Sequence, residues 1–173
     1  NMRTLDRWRE AIGVEFDAEK PSASTRPAHG RPLARKPDHR MRYSRIPGVD
    51  KDISRVVMGS LAFRDFRFAA LMCDDFFELG GNCFDTAKRY GDAEGLLGQW
   101  VQSRDVREEV VLITKGAHTP NCYPDSVTEE LFESLERLRT EYVDIYFLHR
   151  DNPDVPVGEF IDVLNEHRDA GRI

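Results

Sequence analysis

The sequence predicts an α/β fold built on a parallel sheet. After about residue 41, short apolar runs alternate with longer amphipathic segments four times. Continuous apolar strands separated by amphipathic helices are typical of a parallel sheet whose faces are covered. Gly80 and Gly171 follow two of the amphipathic segments, at positions where helices commonly end. An open doubly wound sheet and part of a closed barrel both fit this alternation, and the pattern alone does not choose between them.

The first 40 residues have a different composition from the remainder of the chain. Residues 3–16 carry four apolar side chains at helical spacing: Leu5, Trp8, Ile12 and Phe16. We therefore expect an N-terminal helix within residues 1–19, which could be the tail of an upstream module. Residues 20–40 hold four prolines and six basic residues. This composition predicts a flexible basic linker, so that the folded domain spans residues 41–173.

Charge is distributed unevenly along the chain. Residues 1–45 contain 11 Lys and Arg against 6 Asp and Glu, whereas residues 46–173 contain 14 against 25. A basic segment can indicate nucleic-acid contact, but no aromatic residue lies between Lys20 and Arg42 to stack on bases. We therefore interpret this segment as a solvated linker and expect no nucleic-acid partner.

A β-hairpin, four strands and four helices are predicted after residue 41. Residues 47–50 read Pro-Gly-Val-Asp and predict a turn between two short strands. One further strand ends at Gly59, and the others are expected over residues 82–87, 110–114 and 143–148. Helices are expected over residues 66–79, 93–101, 125–138 and 157–170. Ser126 opens the pattern S-V-T-E, which predicts a capping box at the start of the third helix.

Polar side chains follow the predicted strand ends. Asp85, Lys115 and His149 each lie at or just past such an end, and Tyr90 lies in the loop after Asp85. The carboxyl ends of parallel strands meet at one edge of a sheet, so we expect these four side chains to lie close together. Each residue alone would be ordinary: a cap, a packing group, a solvated lysine or a core histidine. Their common location predicts one proton-transfer site.

Such a site suits the reduction of a carbonyl group, which needs a hydride at carbon and a proton at oxygen. A tyrosine hydroxyl can supply the proton, but its ordinary pKa is about 10. A neighbouring lysine ammonium favours the phenolate and makes a tyrosine a better acid near neutral pH. Asp85 would balance the charge of Lys115, and His149 could hydrogen-bond the substrate oxygen. Three residues of the loop after Lys115 could also contact substrate: His118, Asn121 and Cys122.

The same stretches resemble the aldo-keto reductases. Residues 84–91 read F-D-T-A-K-R-Y-G, and the pattern of this family is F-D-T-A-x-x-Y-G. The family's third strand ends in T-K, here Thr114 and Lys115, and its fourth strand ends in L-H, here Leu148 and His149. The similarity runs from about residue 41 to residue 173.

This resemblance implies the first half of a (β/α)8 TIM barrel and an NAD(P)H-dependent reduction of aldehydes or ketones, with small carbonyl compounds as substrates. It implies four catalytic residues, with Tyr90 as the proton donor: Asp85, Tyr90, Lys115 and His149. It further implies that the nicotinamide end of the cofactor contacts Gly59, Ser60 and Asp85. NADPH is the usual cofactor of the family, and NADH is the alternative.

The family makes most of its cofactor contacts in the second half of the barrel, which would lie beyond Ile173. We therefore expect the 173-residue chain to be inactive alone, and either to associate with itself or with the missing half barrel, or to be only marginally stable. A non-catalytic interaction or regulatory module is the alternative, since some relatives with this fold serve as accessory subunits.

Other features bound the function. No apolar run approaches the roughly 18 residues that suggest a membrane span, and no secretory signal is recognisable, so we expect a cytoplasmic protein without a membrane partner. The three cysteines lack CxxC spacing, which favours reduced thiols. Their spacing relative to histidines predicts no metal site.

Overall fold

The computed structural model of the chain describes residues 33–173. The helix expected within residues 1–19 and the part of the linker up to residue 32 lie outside this range. Residues 33–40, which the sequence assigns to the linker, pack on the folded body. The Lys36 amide donates to the Glu78 carbonyl at 2.8 Å, and Leu33 lies against the main core. The packed body therefore begins before residue 41, because Leu33 gives this segment an apolar anchor.

Strands and helices alternate along the described chain. The strands are β1 (Tyr43–Ser44), β2 (Ile53–Ser54), β3 (Val57–Gly59), β4 (Cys83–Asp85), β5 (Val111–Gly116) and β6 (Ile145–Leu148). The helices are α1 (Phe66–Glu78), α2 (Ala93–Arg104), α3 (Pro124–Leu138) and α4 (Val157–Asp169), and a 3₁₀ turn covers Arg107–Glu109. β1 and β2 form the expected antiparallel hairpin. Among these described helices, none has the length and apolarity that a membrane span needs.

The main sheet is parallel, and its strands lie in chain order, β3-β4-β5-β6. A doubly wound sheet reverses its strand order at a switch point, and the four strands described here show no reversal. Buried side chains of α1, α2 and α3 pack together on one face of the sheet. Sequential parallel strands with helices on one face are the arrangement of a (β/α) barrel segment, so the predicted partial barrel is confirmed.

Alternation along the strands gives this sheet two different faces. Phe84 and Leu112 join the helices in the main core, around the fully buried Trp100. Cys83 and Val111 belong to a second cluster on the opposite face, together with Ile53 of the hairpin. The hairpin thus covers the amino-terminal end of that second face. At the carboxyl-terminal end of this second face lie the polar side chains that follow the strands.

Local signals fix the ends of the helices. α1 begins after Asp65, whose carboxylate accepts a hydrogen bond from the Phe68 amide at 2.9 Å, and it ends before Gly80, where φ is +90°. The predicted capping box at Ser126 is wrong, because α3 begins at Pro124 and Ser126 lies within its first turn. Proline suits the first turn of a helix, where an amide hydrogen would have no intrahelical partner.

Two glycines of α2 have opposite surroundings, and they predict opposite effects on stability. A Cβ atom on Gly98 would lie 2.5 Å from the backbone carbonyl oxygen of Arg137, so α3 would have to shift. A Cβ atom on Gly95 would meet nothing within 4 Å. We expect Gly98→Ala to lower the free energy of unfolding by roughly 1–3 kcal/mol through overpacking. We expect Gly95→Ala to raise it by roughly 0.5–1 kcal/mol through helix propensity.

Urea unfolding followed by circular dichroism measures both changes in the free energy of unfolding. Gly95→Ala is the matched control, since it adds the same methyl group to the same helix. Equal effects of the two substitutions would contradict the close backbone contact between α2 and α3.

Candidate active site

The carboxyl ends of β4 and β5 bring a cation and an anion together. Asp85 pairs in register with Ile113, so Lys115 lies two residues further along β5 on the same face. The Lys115 Nζ donates to Asp85 Oδ1 at 2.5 Å and to the Thr86 carbonyl at 2.8 Å. Only 17% of the Lys115 side chain and 29% of the Asp85 side chain are exposed. Asp85 thus supplies the counter-charge that a largely buried ammonium needs.

Tyr90 lies beside this ion pair, in the loop between β4 and α2. The Lys115 Nζ is 5.2 Å from the centroid of the Tyr90 ring, which is within the range of a cation–π contact. The Lys88 amide donates to the Lys115 carbonyl at 3.0 Å, and the Tyr90 amide donates to the Ala87 carbonyl at 3.0 Å. These two backbone bonds tie the loop to β5 and keep Tyr90 next to the lysine.

His149 follows β6 and completes the group. Its ring centroid is 5.8 Å from that of Tyr90, and the two ring planes meet at 83°. The His149 amide donates to the Gly116 carbonyl at 2.6 Å, which anchors it to the end of β5. The structure thus brings together the four residues that the sequence predicts as one site: Asp85, Tyr90, Lys115 and His149.

Burial and neighbouring charge hold the pKa of His149 below its ordinary value. Desolvation is the largest cause, and the positive charges of His118, Lys115 and Arg150 act in the same direction, whereas Asp85 opposes them. The neutral imidazole is therefore the main form at pH 7. The His149 Nδ1 is buried and finds no hydrogen-bond partner within residues 33–173.

Gly59 and Ser60 lie at the carboxyl end of β3, beside β4. The Ser60 amide donates to the Asp85 carbonyl at 2.9 Å. The Ser60 hydroxyl oxygen is buried and has no hydrogen-bond partner in the described part of the chain, and a Cβ atom on Gly59 would meet nothing within 4 Å. An unpaired buried hydroxyl beside unfilled space fits the carboxamide of a nicotinamide ring. Across residues 33–173, no group of His, Cys, Asp and Glu is arranged to hold a metal ion.

Sequence reasoning missed Glu94. This side chain is fully buried in the first turn of α2, and its Oε1 accepts a hydrogen bond from the Thr114 hydroxyl at 2.7 Å. The bond ties the helix that follows Tyr90 to the strand that carries Lys115. The helical spacing could have indicated that Glu94 is buried, because it stands three residues before Leu97 on the buried side of α2.

Comparisons with known proteins agree with this arrangement. The model of the Aldo/keto reductase family matches residues 55–173. The aldo-keto reductase str7 of Strobilurus tenacellus is 33% identical over 112 residues, which cover 63% of this chain and 33% of that protein. Norsolorinic acid reductase B of Aspergillus parasiticus is 29% identical over 160 residues, which cover 76% of this chain and 41% of that protein.

A solved structure shares the fold. The holo form of an aldo-keto reductase from Bacillus halodurans matches with a TM-score of 0.67 and 28% sequence identity, over 77% of this chain and 48% of that chain. The present chain therefore spans between a third and a half of the length of these three relatives.

The environment of His149 predicts an unusually acidic imidazolium. We expect its titration midpoint to lie below the ordinary value of about 6.5, because burial and nearby positive charge disfavour the protonated ring. Histidine signals followed by NMR between pH 4 and pH 9 measure this midpoint, with the urea-unfolded chain as the reference. Lys115→Met removes one of the positive charges and should move the midpoint upward. A midpoint at or above that of the unfolded chain would contradict the described environment.

Proposed function

This chain belongs to the aldo-keto reductase family of oxidoreductases, and we propose that it carries the proton-transfer site of an enzyme that reduces aldehyde or ketone groups of small molecules. Hydride comes from NADPH, and the proton comes from Tyr90. One observation carries the proposal: a half-buried tyrosine contacts both an ion-paired lysine and a neutral histidine.

Tyr90 is the proton donor in this proposal. The positive charge of Lys115 lies beside its ring and stabilises the phenolate that remains after proton transfer. Two fixed acceptors, the Asp85 carboxylate and the Thr86 carbonyl, hold the ammonium in place. The ammonium is therefore already in position beside the Tyr90 ring before the proton is transferred.

His149 orients the carbonyl oxygen of the substrate. A neutral imidazole can donate a hydrogen bond to that oxygen and increase the positive character of the carbonyl carbon. The ring of His149 lies next to that of Tyr90, nearly perpendicular to it. In this proposal the substrate oxygen binds beside the two adjacent rings, where it can accept the phenol proton.

NADPH, when bound, supplies the hydride. The buried Ser60 hydroxyl would hydrogen-bond the nicotinamide carboxamide, and Gly59 would leave space for the ring. Asp85, on the neighbouring strand, would add a polar side chain at the same end of the cofactor. The preference for NADPH over NADH rests on the resemblance to the family.

A non-catalytic interaction module is the second candidate. Within the described residues, β6 has a neighbouring strand only on its β5 side, and Phe147 on that strand is 51% exposed. An edge of this kind can pair with another copy of the chain or with further barrel strands. Such association stays a prediction, as does a cytoplasmic location.

Removing the phenol proton tests the catalytic role. We expect Tyr90→Phe to lower kcat by about 10²-fold or more, because the ring stays and the general acid is lost. The rate of NADPH oxidation with several aldehydes and ketones measures this, in a polypeptide that contains the present sequence and turns over.

Tyr123→Phe is the matched control, because Tyr123 is 52% exposed outside the group of four residues and loses the same hydroxyl. It should leave kcat unchanged. Retention of most of the activity by Tyr90→Phe, on several substrates, would remove Tyr90 from the role of proton donor.

The 173-residue chain should bind NADPH only weakly, with a dissociation constant well above the micromolar range. The physical reason is that Ser60 and its neighbours contact one end of the cofactor, and the chain spans at most about half of its relatives. Fluorescence titration with NADPH measures the affinity, and Ser60→Ala is the variant that weakens any binding further. Micromolar affinity of the chain itself would show that the proposed division of the cofactor site is wrong.

A further inference from the structure

We propose that His118 is a positioning residue of this site, whose imidazole fixes the plane of the His149 ring. The proposal rests on the proposed function, in which His149 orients the substrate oxygen. The two ring centroids are 4.9 Å apart, and the ring planes meet at 87°. This edge-to-face arrangement is the one that aromatic rings prefer. His149 is thus held between two rings, that of Tyr90 on one side and that of His118 on another.

The loop that carries His118 is bound to the segment that carries His149. The Cys122 Sγ donates to the Arg150 carbonyl at 3.1 Å, and the Asn152 side-chain amide donates to the Cys122 carbonyl at 2.8 Å. The backbone bond from His149 to the end of β5 adds a third connection. The two histidines therefore belong to one hydrogen-bonded unit, and their contact does not depend on the orientation of two independent loops.

A strained turn directs His118 toward His149. Ala117 precedes it in left-handed backbone, with φ at +54°, a conformation that a residue with a Cβ atom rarely adopts. The buried Ala117 amide donates to Glu130 Oε2 on α3 at 2.6 Å. This charge-assisted bond from a neighbouring helix holds the turn against its preference for another conformation. Backbone strain stabilised in this way is common next to functional groups.

The hydrogen bond of the His118 ring indicates which ring nitrogen carries the hydrogen in the neutral imidazole. Its Nδ1 lies 2.8 Å from the Thr119 carbonyl oxygen, which can only accept, so Nδ1 carries the hydrogen. A proton on Nε2 would add to the positive charges of Lys115 and Arg150 near His149. The groups that already act on His149 are the cations of Lys115 and Arg150 and the anion of Asp85, and none of them contacts it ring to ring. His118 thus supports the orientation of His149 and opposes its protonation.

NMR of the 173-residue chain tests the contact without any enzymatic activity. His118→Ala should move the ring signals of His149, because the neighbouring ring current is lost, and should raise its titration midpoint. His118→Phe should preserve the ring-current shift, since a ring remains, and should still raise the midpoint of His149, since a phenyl ring has no electrostatic effect that opposes protonation of His149. Tyr123→Ala removes an exposed ring from the same loop and should change neither. Unchanged His149 signals and midpoint in His118→Ala would overturn the proposal.

Kinetics of a polypeptide that contains this sequence and turns over test the consequence. His118→Ala should lower kcat by about 10-fold, less than the roughly 10²-fold that a 1 Å misplacement can cost. His118→Phe should restore most of kcat and shift the acid limb of the pH profile upward. Equal losses in both variants, or no loss in His118→Ala, would overturn the proposal.

The experiments distinguish a failure of the proposed function from a failure of the proposed role of His118. If Tyr90→Phe retains its activity, the proposed function fails, while the NMR response of His149 still decides whether His118 fixes that ring.

Discussion

The ion pair between Lys115 and Asp85 is the interaction on which the rest of the site depends. An ammonium that is largely removed from solvent is costly unless it is paired and hydrogen-bonded, and both conditions are met here by Asp85 and by the Thr86 carbonyl. The pairing requires two neighbouring parallel strands in one register, with Lys115 two residues beyond the partner of Asp85. Slipping either strand by one residue would send one of the two side chains into the helix layer.

The alternation of β5 couples this ion pair to the core. Lys115 faces the open side of the sheet, so the preceding Thr114 faces the helices, where its hydroxyl binds the buried carboxylate of Glu94. The second oxygen of that carboxylate lies 3.6 Å from Arg137 on α3. Glu94 lies in the first turn of α2, the helix that follows the loop of Tyr90. β5 therefore helps to place both residues. It carries Lys115 itself, and the hydrogen bond from Thr114 to Glu94 on its other face holds the helix that follows the loop of Tyr90.

The features that follow from backbone periodicity were predictable from the sequence. Features that depend on a contact with a side chain far away in the sequence were not. Strand ends and the residues on them were predictable, because parallel strands gather their carboxyl ends at one edge. The sequence does not show where the second hairpin strand ends and the strand that leads to Gly59 begins, whereas in the structure β2 ends at Ser54 and β3 begins at Val57. The Ser54 amide donates to the Asn82 side chain at 2.8 Å, a contact between residues far apart in sequence. The start of α3 had a local signal in Pro124 itself, which the capping-box interpretation overlooked. The contact of His118 with His149, in contrast, depends on packing that no local pattern encodes.

In the proposed reaction, Tyr90 and His149 have different roles, and the charges around them differ accordingly. The Lys115 ammonium lies beside the Tyr90 ring, whereas His149 lies in a largely desolvated environment near several cations, which lowers the pKa of its imidazole. In the proposed reaction the phenol gives up a proton while the neighbouring imidazole stays neutral, so that only one of the two groups acts as the acid. Asp85 pairs with the lysine and acts on the pKa of His149 in the opposite direction, but burial and the nearby cations outweigh it, so the imidazole stays neutral in this arrangement.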